Sequence, residues 1–207
     1  MSGSSVILED GSLLSRLDRF YFKFESILTM AGGIAIFGLV VLAVANALGR
    51  WIFNIPVTGY IDWVEQAMAV MAFGGLAYSQ RIGGHIRMDI FLSVMKGRVL
   101  WITELVSTLF MLLITLVLLY GSYLHFYRAF TNGDSSMDIG LPIWPAKLVV
   151  PFALSVLALR LILQIWAYIR AIKNNDTQPV AVPLIEDAAT QALREANALE
   201  GQEVKND

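Results

Sequence analysis

The chain contains two runs of more than twenty residues without a charge, 24 between Glu25 and Arg50 and 23 from Leu105 to Tyr127. In water, a helix that long would leave apolar side chains exposed all round. In a bilayer it is the favoured solution, because at about 1.5 Å per residue some 20 residues cross a hydrocarbon core of roughly 30 Å with every backbone group satisfied internally. The two runs predict transmembrane helices over 27–48 and 105–127. A third run, Gln66 to Gln80, has only 15 residues. Extended to Asp62 it takes in the interfacial aromatic Trp63 and predicts a span over 62–80 with Glu65 about one turn inside. The fourth, Leu148 to Ile169, is apolar except for Arg160 and Gln164, opens near Pro151 in its first turn and closes on Trp166, Tyr168 and Arg170. It predicts a span over 148–169.

Composition agrees. The chain is 57% hydrophobic and 15% charged, against roughly 45–50% and about 25% for soluble domains. With no cysteine, disulfides, thiolate metal sites, Cys nucleophiles and Fe–S clusters are excluded. The net charge of −2 divides unevenly: residues 1–173 carry +3 and the segment from Asn174 onward carries −5. A basic excess of that size is too small for nucleic-acid binding, and it lies where membrane topology places it. Nine Lys and Arg residues fall in the N-terminal segment, the loop between the second and third spans and the segment after the fourth, while the other two loops hold Arg50, Arg128 and Lys147. The positive-inside rule then puts both termini in the cytoplasm. The Ala45-Asn46-Ala47 triplet resembles a signal cleavage site, but the apolar run exceeds the roughly 7–15 residues of an h-region and is preceded by acids. It reads as a retained helix.

Two segments carry the amphipathic spacing of helices lying in the membrane surface on the cytoplasmic side. Leu13, Leu17, Phe20, Tyr21, Phe24 and Leu28 oppose Arg16, Arg19 and Lys23, so residues 1–26 are expected to form an interfacial segment feeding the first span. Met88, Phe91, Leu92 and Met95 repeat the pattern over a shorter stretch. Residues 171–207, with Pro179, Pro183 and seven acids, are expected to be a solvated acidic tail. The expected fold is thus an all-α integral membrane domain over 27–170, with four transmembrane helices, both ends cytoplasmic and short in-plane helices.

Catalytic chemistry finds no foothold. Gly33 to Gly38 lacks the Lys and Ser/Thr of a phosphate-binding loop, and no Ser sits in Gly-x-Ser-x-Gly. The two histidines, His85 and His125, fall on opposite sides of the membrane and cannot share a haem. No cofactor or metal is expected, and the chain does not read as an enzyme. Ionisable groups inside a bilayer mark functional candidates, and here they are Glu65 and Arg160. Arg160 lies near the midplane and should be paired, with Glu65, Asn46, Gln66 or a group on another subunit. One midplane charge makes a poor ion relay.

The stretch Gly49-Arg50-Trp51-Ile52-Phe53-Asn54 leading to Trp63-Val64-Glu65, then Gly74-Gly75 to Gly83-Gly84-His85-Ile86-Arg87-Met88-Asp89, and finally Gly140-Leu141-Pro142-Ile143-Trp144 with Val150-Pro151, resembles the small, DctQ-type membrane subunit of tripartite ATP-independent periplasmic (TRAP) transporters. The match covers about residues 20 to 170; Gln66 departs from the family's usual Glu or His after Glu65. The resemblance implies a multi-pass protein of the bacterial inner membrane. Its implied partners are a large many-helix membrane subunit, which it would scaffold, and a periplasmic substrate-binding protein, in sodium-driven uptake of an organic acid. It marks Arg50, Asn54, Trp63, Glu65, His85, Arg87, Asp89, Pro142, Trp144, Pro151 and Arg160 as structural, partner-contact or lipid-contact candidates. Arg87 would reach phospholipid phosphate, and Gly83 and Gly84 would turn the chain at the surface. Small-residue pairs Ala31-Ala35, Ala43-Ala47 and Gly75-Ser79 are candidate close-approach points for a partner helix. The alternatives are a stand-alone small carrier or channel, or the anchor subunit of a membrane enzyme.

Overall fold

The structure, a computed structural model, describes residues 13–81 and 98–174. His85, Arg87, Asp89, the second expected in-plane helix and the tail beyond Asn174 lie outside the described residues. Among the described residues there are five helices: α1 (Leu13–Ile52), α2 (Tyr60–Phe73), α3 (Leu76–Arg81), α4 (Arg98–Asn132) and α5 (Trp144–Asn174). Three of them, α1, α4 and α5, are long and apolar enough to cross a membrane. They stand in the order α1, α2 with α3, α5, α4, and α4 packs chiefly along α5. Half of the most apolar stretch of α5 is buried, against 6% for α1 and 17% for α4. The last helix is therefore the hub, and the first presents most of its surface outward.

Residues 13–26 do not form a separate in-plane helix. They are the first turns of one unbroken helix of 40 residues, about 60 Å long by helix rise and twice the depth of a hydrocarbon core. The expected apolar face is also not the one that is covered. Leu14, Ser15, Asp18, Glu25 and Gly32 are buried, whereas Leu13 and Phe20 are 64% and 75% exposed. Apolar side chains gain nothing by hiding from lipid, while charges do, so the polar seam turns inward.

The helix expected over 62–80 is interrupted at Gly74-Gly75. Helical hydrogen bonds run into the break from Gly74 N to Val70 O and out of it from Ser79 N to Gly75 O, each 2.9 Å. The cause is a close crossing. A Cβ on Gly74 would lie 3.2 Å from the Leu28 carbonyl oxygen and 3.6 Å from Gly32 Cα, so α1 and α2 touch backbone to backbone. Gly32 serves that contact without interrupting α1, whereas a Cβ on Gly33 would meet nothing within 4 Å.

At the far end, α1 closes on a turn in which Phe53 N and Ile55 N both donate to Gly49 O. A Cβ on Gly49 would sit 2.8 Å from Ile55 O, and Asn54 takes a left-handed φ of 54°, a conformation that asparagine tolerates better than most residues. Pro151 is not in the first turn of the last helix. That helix begins at Trp144, leaving Pro151 buried two turns inside α5.

Candidate functional site

The groups that chemistry could use are gathered in one buried layer between α1, α3 and α5. Arg160, midway along α5, is 0% exposed, as is Glu25, and Asp18 is 1% exposed. The Asp18 carboxylate is shared: Arg160 Nη1 donates to Oδ1 at 2.6 Å, and Arg81 Nη2 donates to Oδ2 at 2.7 Å. Glu25 Oε1 lies 3.4 Å from Arg160 Nε, an ion pair without hydrogen-bond geometry. Two arginines and two carboxylates balance, as buried charges must.

Neutral groups close the layer. Gln80 Nε2 donates to Gln164 Oε1 at 2.8 Å, and Gln164 Nε2 returns to the Gln80 carbonyl at 3.3 Å. The Tyr21 hydroxyl donates to Val156 O at 2.9 Å. The Arg81 guanidinium carbon stands 3.9 Å over the centre of the Phe22 ring, which stacks on Tyr78. A tier further along α5, Tyr168 donates to Glu104 Oε2 at 3.3 Å and stacks on Trp101. Together Leu14, Trp101, Ala167, Tyr168 and Ala171 form an apolar plug beside the charges. Such a layer fixes the relative positions of three helices. Among the described residues it holds no group of three His, Asp or Glu placed to bind a metal.

The expected partners of Arg160 are elsewhere. Asn46 Oδ1 accepts from Val57 N at 3.0 Å, Gln66 Nε2 donates to Pro142 O at 2.8 Å, and Glu65 is exposed on α2. Arg160 is not a lone charge either, since Asp18, Glu25 and Arg81 all gather beside it. Spacing held a signal: Asp18 and Glu25 are seven residues apart on α1, one face of a heptad that also carries Leu14 and Gly32.

The remaining candidates belong to the opposite end. There the 53–59 and 133–143 connections meet. Asp62 Oδ2 accepts from Ser136 Oγ at 2.6 Å and from Ile139 N at 2.8 Å, and Leu141 N donates to Ser136 Oγ at 2.8 Å. Gly59, at a φ of 71°, packs under Ile139. Pro142 pairs with Ser135 in an isolated bridge, and Trp144 meets Phe130 edge-on at 5.7 Å. Trp63 is half exposed over a shallow groove against α1, and Arg50 is exposed in the last turn of α1. Arg160 thus stands apart from Arg50, Asn54, Trp63, Glu65, Pro142 and Trp144.

Long apolar helices around a self-paired polar layer define a helical membrane subunit. Residues 39–171 match the family model of tripartite ATP-independent periplasmic transporters, DctQ component. The chain belongs to this family: it is a small, multi-pass DctQ subunit of a TRAP transporter, and such subunits are not enzymes. The family implies a large membrane subunit and a periplasmic binding protein as partners. No curated protein matches the chain.

Proposed function

We propose that this chain is a rigid scaffold for the large, elevator-type subunit in sodium-coupled, binding-protein-dependent uptake of an organic acid. The observation that carries the reading is the internal pairing of the polar layer. Asp18, Arg81, Arg160, Gln80 and Gln164 pair with one another inside the chain, with the Glu25 oxygens and Arg160 Nε and Nη2 left without hydrogen bonds, while α1 and α4 turn apolar side chains outward. A carrier needs polar groups facing a solvated path, whereas a support needs fixed helices and a broad apolar exterior. In this reading α2 and α3 act together as one span. From Tyr60 to Arg81 they cover about 33 Å by helix rise. Both termini lie in the cytoplasm on the charge bias, and the 53–59 and 133–143 connections face the periplasm.

Reconstitution tests the proposal. The acid is chosen as the one that thermally stabilises the binding protein. Liposomes carrying the large subunit and this chain, supplied with binding protein and an inward sodium gradient, should accumulate it; liposomes lacking any one component should not. Full uptake without this chain would overturn the scaffold reading, and uptake by this chain alone would establish the carrier instead.

A further inference from the structure

α2 is covered by α1 on one side and by α5 on another, and its remaining face is exposed. Ile61, Glu65, Met68 and Ala72 lie on that face, at spacings of four, three and four residues. The register continues through Gly75, where an added Cβ would meet nothing within 4 Å, to Ser79. That is the spacing of a left-handed helix-packing seam, with small residues at its deeper half, where a partner backbone can come close. Glu65 stands in the outer half. No described residue forms an ion pair or side-chain hydrogen bond with it, although its acidic neighbour Asp62 is fully engaged by the 134–142 turn. Every other carboxylate described within the helical layer, Asp18, Glu25 and Glu104, is paired inside the chain.

We propose that this face of α2 is the docking seam for a transmembrane helix of the large subunit, and that the docking helix carries a Lys or Arg placed to meet Glu65. The assignment rests on the scaffold reading and adds to it the surface used and the charge expected opposite. Small residues at Ala72 and Gly75 set the depth of approach. The Glu65 carboxylate sets the register, since a partner slid by one turn would leave both charges facing apolar side chains.

The assembled complex in native membranes supplies the test. A photo-crosslinking amino acid at Met68, and separately at Ile61, should give an adduct between this chain and the large subunit. In parallel, Glu65→Lys should reduce recovery of the large subunit with the tagged chain by at least about tenfold, and Glu65→Gln by less, as expected for a desolvated interfacial charge. The melting temperature of the chain purified alone should stay unchanged in both variants, which separates lost docking from misfolding. If the complex still co-purifies but the α2 positions crosslink to lipid or to a second copy of this chain, the seam is wrong while the scaffold reading survives. Undiminished recovery with Glu65→Lys would equally overturn the proposal, showing that the carboxylate only faces headgroup water.

Discussion

Asp18 is held by two guanidinium groups at 2.6 and 2.7 Å, and Glu25 has only the looser contact with Arg160 at 3.4 Å. The two acids are therefore not equivalent. Removing one member of a buried pair typically costs about 3–5 kcal/mol, because the charge left behind is uncompensated. Asp18→Asn leaves two arginines against one carboxylate and should lower stability by about that much, read as a lower melting temperature in detergent. Arg160→Leu should do the same, and Arg160→Lys should fall between, since an ammonium keeps the charge but cannot reach two acids with a planar fork. A second residue-scale case is Asp62. Asp62→Asn replaces a charged acceptor of the Ser136 hydroxyl and the Ile139 N–H, a loss of about 1–3 kcal/mol. Hydrogen exchange should accelerate over residues 134–142 and stay unchanged in the centre of α5.

Among the helices, the crossing of α1 and α2 depends on two glycines. Gly74→Val would push a branched side chain against the Leu28 carbonyl and Gly32 and should destabilise by about 1–3 kcal/mol, as overpacking does. Gly33→Leu makes the useful contrast, because a Cβ there meets nothing within 4 Å; the isolated chain should melt as before. Comparing thermal unfolding of the two variants distinguishes a glycine used for packing at the crossing from one that is not. The short α3 follows from the same crossing. Beyond the Gly74-Gly75 interruption it delivers Gln80 and Arg81 to Gln164 and Asp18.

Taken as a whole, the molecule has two ordered ends of different character, the charge layer between α1, α3 and α5 and the hydrogen-bonded knot of the 53–59 and 133–143 connections. The charge bias gives the orientation to test. A reporter active only in the periplasm should be silent when fused after Asn174 and active when inserted near Asp134; the opposite pattern would invert the proposed topology. Length and hydropathy were enough to place three membrane-length helices, because long apolar runs, two of them uncharged over more than twenty residues, have few other solutions, and the motifs from Gly49 to Pro151 were enough for the family. Gly49 and Asn54 were legible only as part of that likeness, and the turn they form came from the structure. Pairing was not legible. Asp18 and Arg160 are 142 residues apart, and a sequence states how many charges there are without stating which will meet. Nor could it show that the seam of Leu14, Ser15, Asp18 and Glu25 turns inward while Arg16, Arg19 and Lys23 stay exposed, because amphipathic spacing defines faces and only the neighbouring helices decide which is covered. Sequence by itself determined three membrane-length helices, the likeness and the balance of charge, all set by local composition. The tertiary structure decided the partners of Arg160, the close crossing at Gly74 and the exposed face bearing Glu65, since each depends on where distant helices cross.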